Sequence, residues 1–93
     1  MRARLSLRER RILSESSFAE IVIWQLPTTA PRRRHRYKYR LAFIVDGVCV
    51  LRFDNEAGKG DHKHVGAKEV PYEFTSLEQV VTDFWDEVEK WRP

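Results

Sequence analysis

A chain of 93 residues with one cysteine, Cys49, is a single domain without an internal disulfide, and its modest core buries roughly 60–65% of the unfolded surface. The longest unbroken apolar run, Leu41–Val45, is far too short to span a membrane, and one thiol suits a reducing, cytoplasmic compartment with Cys49 buried. Net charge is +3, yet residues 1–53 hold twelve Lys and Arg against four Asp and Glu, whereas residues 54–93 hold five against ten. That asymmetry points to an anionic partner for the first half, unless the two halves neutralise each other across the fold.

Met1–Glu15 alternates Arg with Leu and Ile without a clear period. It fits a short edge strand, a frayed helix or a flexible basic arm. It is basic and contains serine, as transit peptides do, but has no apolar segment and runs straight into strand-like sequence. Ala19–Leu26 (AEIVIWQL) predicts a strand, with Ile21, Ile23 and Gln25 on one side and Val22, Trp24 and Leu26 on the other. Both sides are apolar, so it belongs in the sheet interior. Pro27–Pro31 ends it in a loop.

Arg32, Arg33, Arg34, His35 and Arg36 follow, then Tyr37, Lys38, Tyr39 and Arg40. Cations engage phosphates and aromatic rings stack on unpaired bases, so this interleaving suits nucleic acid; a solvated basic loop is the plain alternative. Arg36–Asp54 then holds two β-rich runs around Asp46-Gly47, the pair that a type I′ hairpin turn favours. With a two-residue turn and regular pairing, Phe43 opposes Val50, Leu41 opposes Arg52 and Tyr39 opposes Asp54. That register puts Tyr39, Arg52 and Asp54 on one face at the open end.

Asn55–Gly60 is a glycine-containing loop that matches no phosphate-binding motif. In Asp61-His62-Lys63-His64 a short strand would point both histidines to one face and Lys63 to the other. Lys68–Phe74 reads as irregular, with Pro71 breaking any ladder. Ser76-Leu77-Glu78-Gln79 has capping-box spacing, with Thr75 as a second candidate cap. Leu77, Val80, Val81, Phe84, Trp85, Val88 and Trp91 then form one helical stripe, which predicts a helix over about Leu77–Trp91. The expected fold is α+β: an antiparallel sheet of three to four strands within residues 16–66, a central Asp-Gly hairpin, and a helix within 75–92 packed on it.

His62, His64, Asp54 and Arg52, with Lys63 and Tyr39 nearby, are the one constellation with catalytic character. Two histidines can serve as general acid and base, Asp54 can fix a tautomer, and cations can stabilise a phosphorane-like charge. Those parts suffice for metal-independent RNA cleavage. His62, His64 and Asp54 also admit a divalent metal, and a pair of exposed histidines without a role is the bland alternative.

The succession Val50-Leu51-Arg52-Phe53-Asp54-Asn55, a glycine loop, His62-Lys63-His64, then Pro71-Tyr72-Glu73-Phe74-Thr75-Ser76-Leu77 into an amphipathic helix resembles the TumE family, small bacterial toxins of toxin–antitoxin pairs. The likeness covers about residues 36–90, more loosely Ala19–Leu26. Phe53 stands where the family pattern leads us to expect tyrosine, and the Arg32–Arg34 run has no counterpart in that pattern. The resemblance implies a toxin acting on RNA, restrained by an antitoxin with a helix-turn-helix DNA-binding part. It carries over Arg52, Asp54, Asn55, His62 and His64 as candidate functional positions.

Three readings follow: a ribonuclease toxin, with Arg52, Lys63 and Arg32–Arg36 holding RNA; a non-catalytic basic module that binds nucleic acid or protein through residues 32–40; and a small metal-binding domain. Apolar residues on both hairpin faces leave room for a homodimer.

Overall fold

The computed structural model describes residues 4–27, 35–55 and 60–91. Six strands, β1 (Arg4–Ile12), β2 (Ser17–Gln25), β3 (Tyr37–Val45), β4 (Val48–Asp54), β5 (His62–Val65) and β6 (Lys68–Pro71), precede one helix, α1 (Leu77–Trp91). All six form one antiparallel sheet in chain order. The expectation of three to four strands is corrected at both ends. β1 is a strand whose period is broken by a bulge between Leu5 and Leu7. β6 is an edge strand whose last residue, Pro71, pairs with His62. Proline is tolerated at a strand end on a sheet edge, where a missing N–H need not interrupt a ladder.

Asp46 (φ 52°) and Gly47 (φ 79°) link β3 to β4, and Val45 pairs with Val48. Beyond that turn the register departs from regular pairing. Ile44 pairs with Cys49 but Phe43 with Leu51, so Val50 is the extra residue of a bulge. One extra residue turns every later β4 side chain to the opposite face. Arg52 therefore opposes Ala42 and Asp54 opposes Arg40, while Leu51 and Phe53 join Phe43, Leu41 and Tyr39 in the core. Tyr39 does not share a face with Arg52 and Asp54.

Helix α1 starts as its sequence requires. Ser76 Oγ accepts the Gln79 N–H at 3.0 Å, satisfying one of the free donors of the first turn. Val80, Phe84 and Val88 are fully buried against Ala19, Ile21 and Ile23 of β2, the inner residues of β3, and Leu51 and Phe53 of β4. Phe53 and Phe84 meet edge to face at 6.0 Å. No described element covers the other face of the sheet. Cys49 lies near the turn and is exposed, which corrects the expectation of a buried thiol. Cys49 pairs with Ile44 on the face that α1 leaves bare, so no described element covers it.

Candidate functional site

Period-two alternation distributes the charged residues between the two faces. Across the open face one row runs Val22, Arg40, Asp54, His62 and Pro71. The neighbouring row runs Arg10, Glu20, Ala42, Arg52, His64 and Glu69. Ala42 is completely buried although no helix lies over it, flanked in its row by Glu20 and Arg52. A small residue here leaves space for the long side chains to fold inward.

Arg52 is the hub. Its Nε lies 2.9 Å from Asp54 Oδ2, an ion pair in which the N–H is not aligned on the oxygen. Its Nη2 donates to His64 Nε2 at 3.1 Å. A guanidinium only donates, so His64 Nε2 accepts and a neutral ring carries its proton on Nδ1. The His62 and His64 rings lie 6.5 Å apart. Glu69, on β6, places Oε1 3.6 Å from His62 Nε2 and Oε2 3.6 Å from His64 Nε2. Side-chain exposure is 13% at Asp54, 15% at His62, 27% at His64 and 34% at Arg52, so the group is sheltered yet open to a ligand. Asp54 binds Arg52 rather than a histidine, and Glu69 is the carboxylate that faces both rings. Nothing local in the sequence pointed to Glu69, because it enters only through the β5–β6 pairing.

Other expected residues lie elsewhere. Lys63 points to the helix side, where its Nζ donates to Glu87 Oε2 at 2.7 Å. Tyr39 is 1% exposed and cannot stack on a base. Its hydroxyl donates to Asp61 Oδ2 at 2.7 Å. Burial, and then that bond, hold its pKa far above the usual phenol value. Tyr37 lies beside His35 and Phe74 in the same aromatic cluster. Lys38 and Arg36 are exposed, with Lys38 on the open face opposite Trp24. Arg32, Arg33 and Arg34 lie outside the described residues. Asn55 is buried and structural: its Oδ1 accepts the Tyr39 N–H and its Nδ2 donates to the Tyr37 carbonyl, extending the β3 pairing past the end of β4.

A second histidine site stands at the same end on the helix side. His35 stacks on Phe74 with centroids 3.7 Å apart, and its Nε2 lies 3.0 Å from Asp61 Oδ2. The Tyr37 N–H donates to His35 Nδ1 at 3.1 Å, so a neutral ring carries its proton on Nε2 and donates it to Asp61. Both nitrogens are occupied, and the group acts as a latch rather than as a proton carrier. Among the described residues, no three or more His, Cys, Asp or Glu side chains converge to hold a metal ion. None of the described helices is long and apolar enough to cross a membrane.

The profile of the family described as Toxin TumE matches residues 2–92, beyond the 36–90 stretch that carries the motifs. No curated protein and no solved structure matches the chain significantly.

Proposed function

Since the chain belongs to the TumE toxin family, which implies an antitoxin partner, we propose that it is a toxin acting as a metal-independent ribonuclease through His62 and His64. The observation that carries this reading is the contact from Arg52 to His64 Nε2, with His62 6.5 Å away on the same open face. An RNA phosphate competes for the Arg52 guanidinium, because charge-assisted bonds to phosphate are the stronger ones. Its departure frees His64 Nε2 to accept the proton of a ribose 2′-OH. The 2′-oxygen then attacks the phosphorus, His62 protonates the departing 5′-oxygen, and the products are a 2′,3′-cyclic phosphate and a 5′-hydroxyl end. Arg52 balances the charge that builds on the phosphoryl oxygens, and Asp54 orients Arg52. These four side chains all come from one chain, so the monomer supplies the chemistry. The antitoxin proposed is one with a helix-turn-helix DNA-binding part, and the compartment is the cytoplasm.

The test is induced expression in a bacterium of the wild type beside the His62→Ala/His64→Ala double variant, following growth and total RNA integrity. Growth arrest with RNA breakdown, relieved in the folded double variant, is the expected result. In the purified protein, cleavage of an oligoribonucleotide should fall about 10²- to 10⁴-fold in that variant and survive a chelator. Arrest that persists in the folded double variant would move the chemistry away from the histidines. A non-catalytic binding module would ignore the histidines and depend on residues 32–40.

A further inference from the structure

The open face extends well beyond the histidine cluster, and its chemistry there is not that of a protein core. From β1 to β4 it presents Arg8, Arg10, Lys38, Arg40 and Arg52 against Glu20 and Asp54. Two ring systems sit among these cations on β2. Trp24 lies between Leu5 and Lys38 in its row. Phe18 carries the Arg10 guanidinium 4.2 Å above its ring. Both rings are partly exposed, on the face that α1 leaves bare. Cations alternating with flat groups on an uncovered sheet are what an unpaired nucleic acid strand requires: phosphates for the charges, base faces for the rings.

Resting on the ribonuclease reading, we propose that this face binds single-stranded RNA across the strands, with Trp24 as a base-stacking platform remote from the cleaved bond. Lys38 and Arg40 lie between Trp24 and the histidines and take the intervening phosphates. β2 and β5 are three strand spacings apart, about 14 Å, so the stacked base lies a few nucleotides from the phosphate at His62 and His64. The Arg10 guanidinium, held over the Phe18 ring, offers a second platform in the row of Arg52 and His64. Duplex RNA cannot use these platforms, since its bases are stacked on one another. The face therefore selects unpaired RNA, and Trp24 is a positioning residue rather than a catalytic one.

The experiment uses the full chain and a fluorescein-labelled, fully 2′-O-methylated single-stranded oligoribonucleotide of mixed sequence. That probe cannot be cleaved, because its 2′-oxygen is blocked. Binding is read by anisotropy for the wild type, Trp24→Ala, Trp24→Phe and, as a control off this face, Trp91→Ala. Trp24→Ala should raise Kd by about fivefold to a hundredfold, Trp24→Phe should restore most of the affinity, and Trp91→Ala should match the wild type. Unlabelled duplex RNA should compete poorly. Wild-type affinity in a folded Trp24→Ala variant, or equal competition by duplex, would overturn the proposal. So would a Trp24 variant that keeps its RNA affinity but no longer binds its antitoxin, which would give the face to a protein. Trp24-dependent binding without cleavage of unmodified RNA would instead sink the catalytic reading and leave the platform standing.

Discussion

The two sides of the sheet are built from the same strands and treat their polar groups in opposite ways. On the helix side several polar groups are tied down. Lys63 meets Glu87, Tyr72 donates to Asp83 at 2.5 Å, and Asp61 holds both His35 and Tyr39. On the open side Arg52 is shared between Asp54 and His64, and Glu69 stands just beyond hydrogen-bond distance from two rings. The contrast is sharpest in the histidines. His35 has both nitrogens engaged and a ring pressed on Phe74, so its bonds hold structure together. His64 has one nitrogen held by Arg52, a donor that a phosphate draws away in the proposed ribonuclease reading. Residue type alone does not identify a reactive histidine; what occupies its nitrogens does.

The contrast can be broken most severely from the helix side. Phe84→Ala should cost about 3–5 kcal/mol in urea unfolding, because it empties the centre of the core and loses the edge contact with Phe53. That is a large part of the stability of a small domain, so activity should be lost with the fold. Asn55→Ala comes next, at about 1–3 kcal/mol, since it strands the Tyr39 N–H and the Tyr37 carbonyl. A smaller effect sits on Tyr39. Its folded pKa is raised, so its contribution is intact below the unfolded value of about 10 and is lost as pH rises above it, where the unfolded chain ionises first. Stability measured by urea midpoint should therefore fall above pH 10, and Tyr39→Phe should flatten that fall. Tyr72, raised by burial and its bond to Asp83, contributes in the same direction, so some slope should remain. The smallest effect belongs to Lys63→Ala. Its partly exposed pair with Glu87 is worth at most about 1 kcal/mol, and RNA affinity should not change because Lys63 faces away from the histidines.

How far these features can be read in advance depends on how local their causes are. The α1 boundaries are written in one stripe and one capping serine, and residues 77–91 form the helix expected there. The β2 faces are likewise legible from alternation. The bulge at Val50 is not: nothing in Cys49-Val50-Leu51 shows that one residue goes unpaired, yet that residue decides whether Arg52 and Asp54 face Tyr39 or Arg40. β1 was obscured for the same reason, since its own bulge breaks the period. His35, set within an arginine run, gave no hint of a carboxylate 26 residues away, because the pairing arises only when the β4–β5 connection brings Asp61 back to the start of β3. The histidine pair was legible as a motif, whereas its carboxylate, Glu69, required the β5–β6 turn.

The position of α1 has a consequence for synthesis. Every strand pairs with its neighbour in the chain, so the sheet can zip together from hairpins as the chain emerges. The helix that covers the core face follows all six strands and packs chiefly on β3 and β4. Until it emerges, Leu41, Phe43, Leu51 and Phe53 have no lid, and the sheet carrying the histidines is not held rigid. A translation product that stops before Leu77 therefore contains every candidate site residue and no stable toxin.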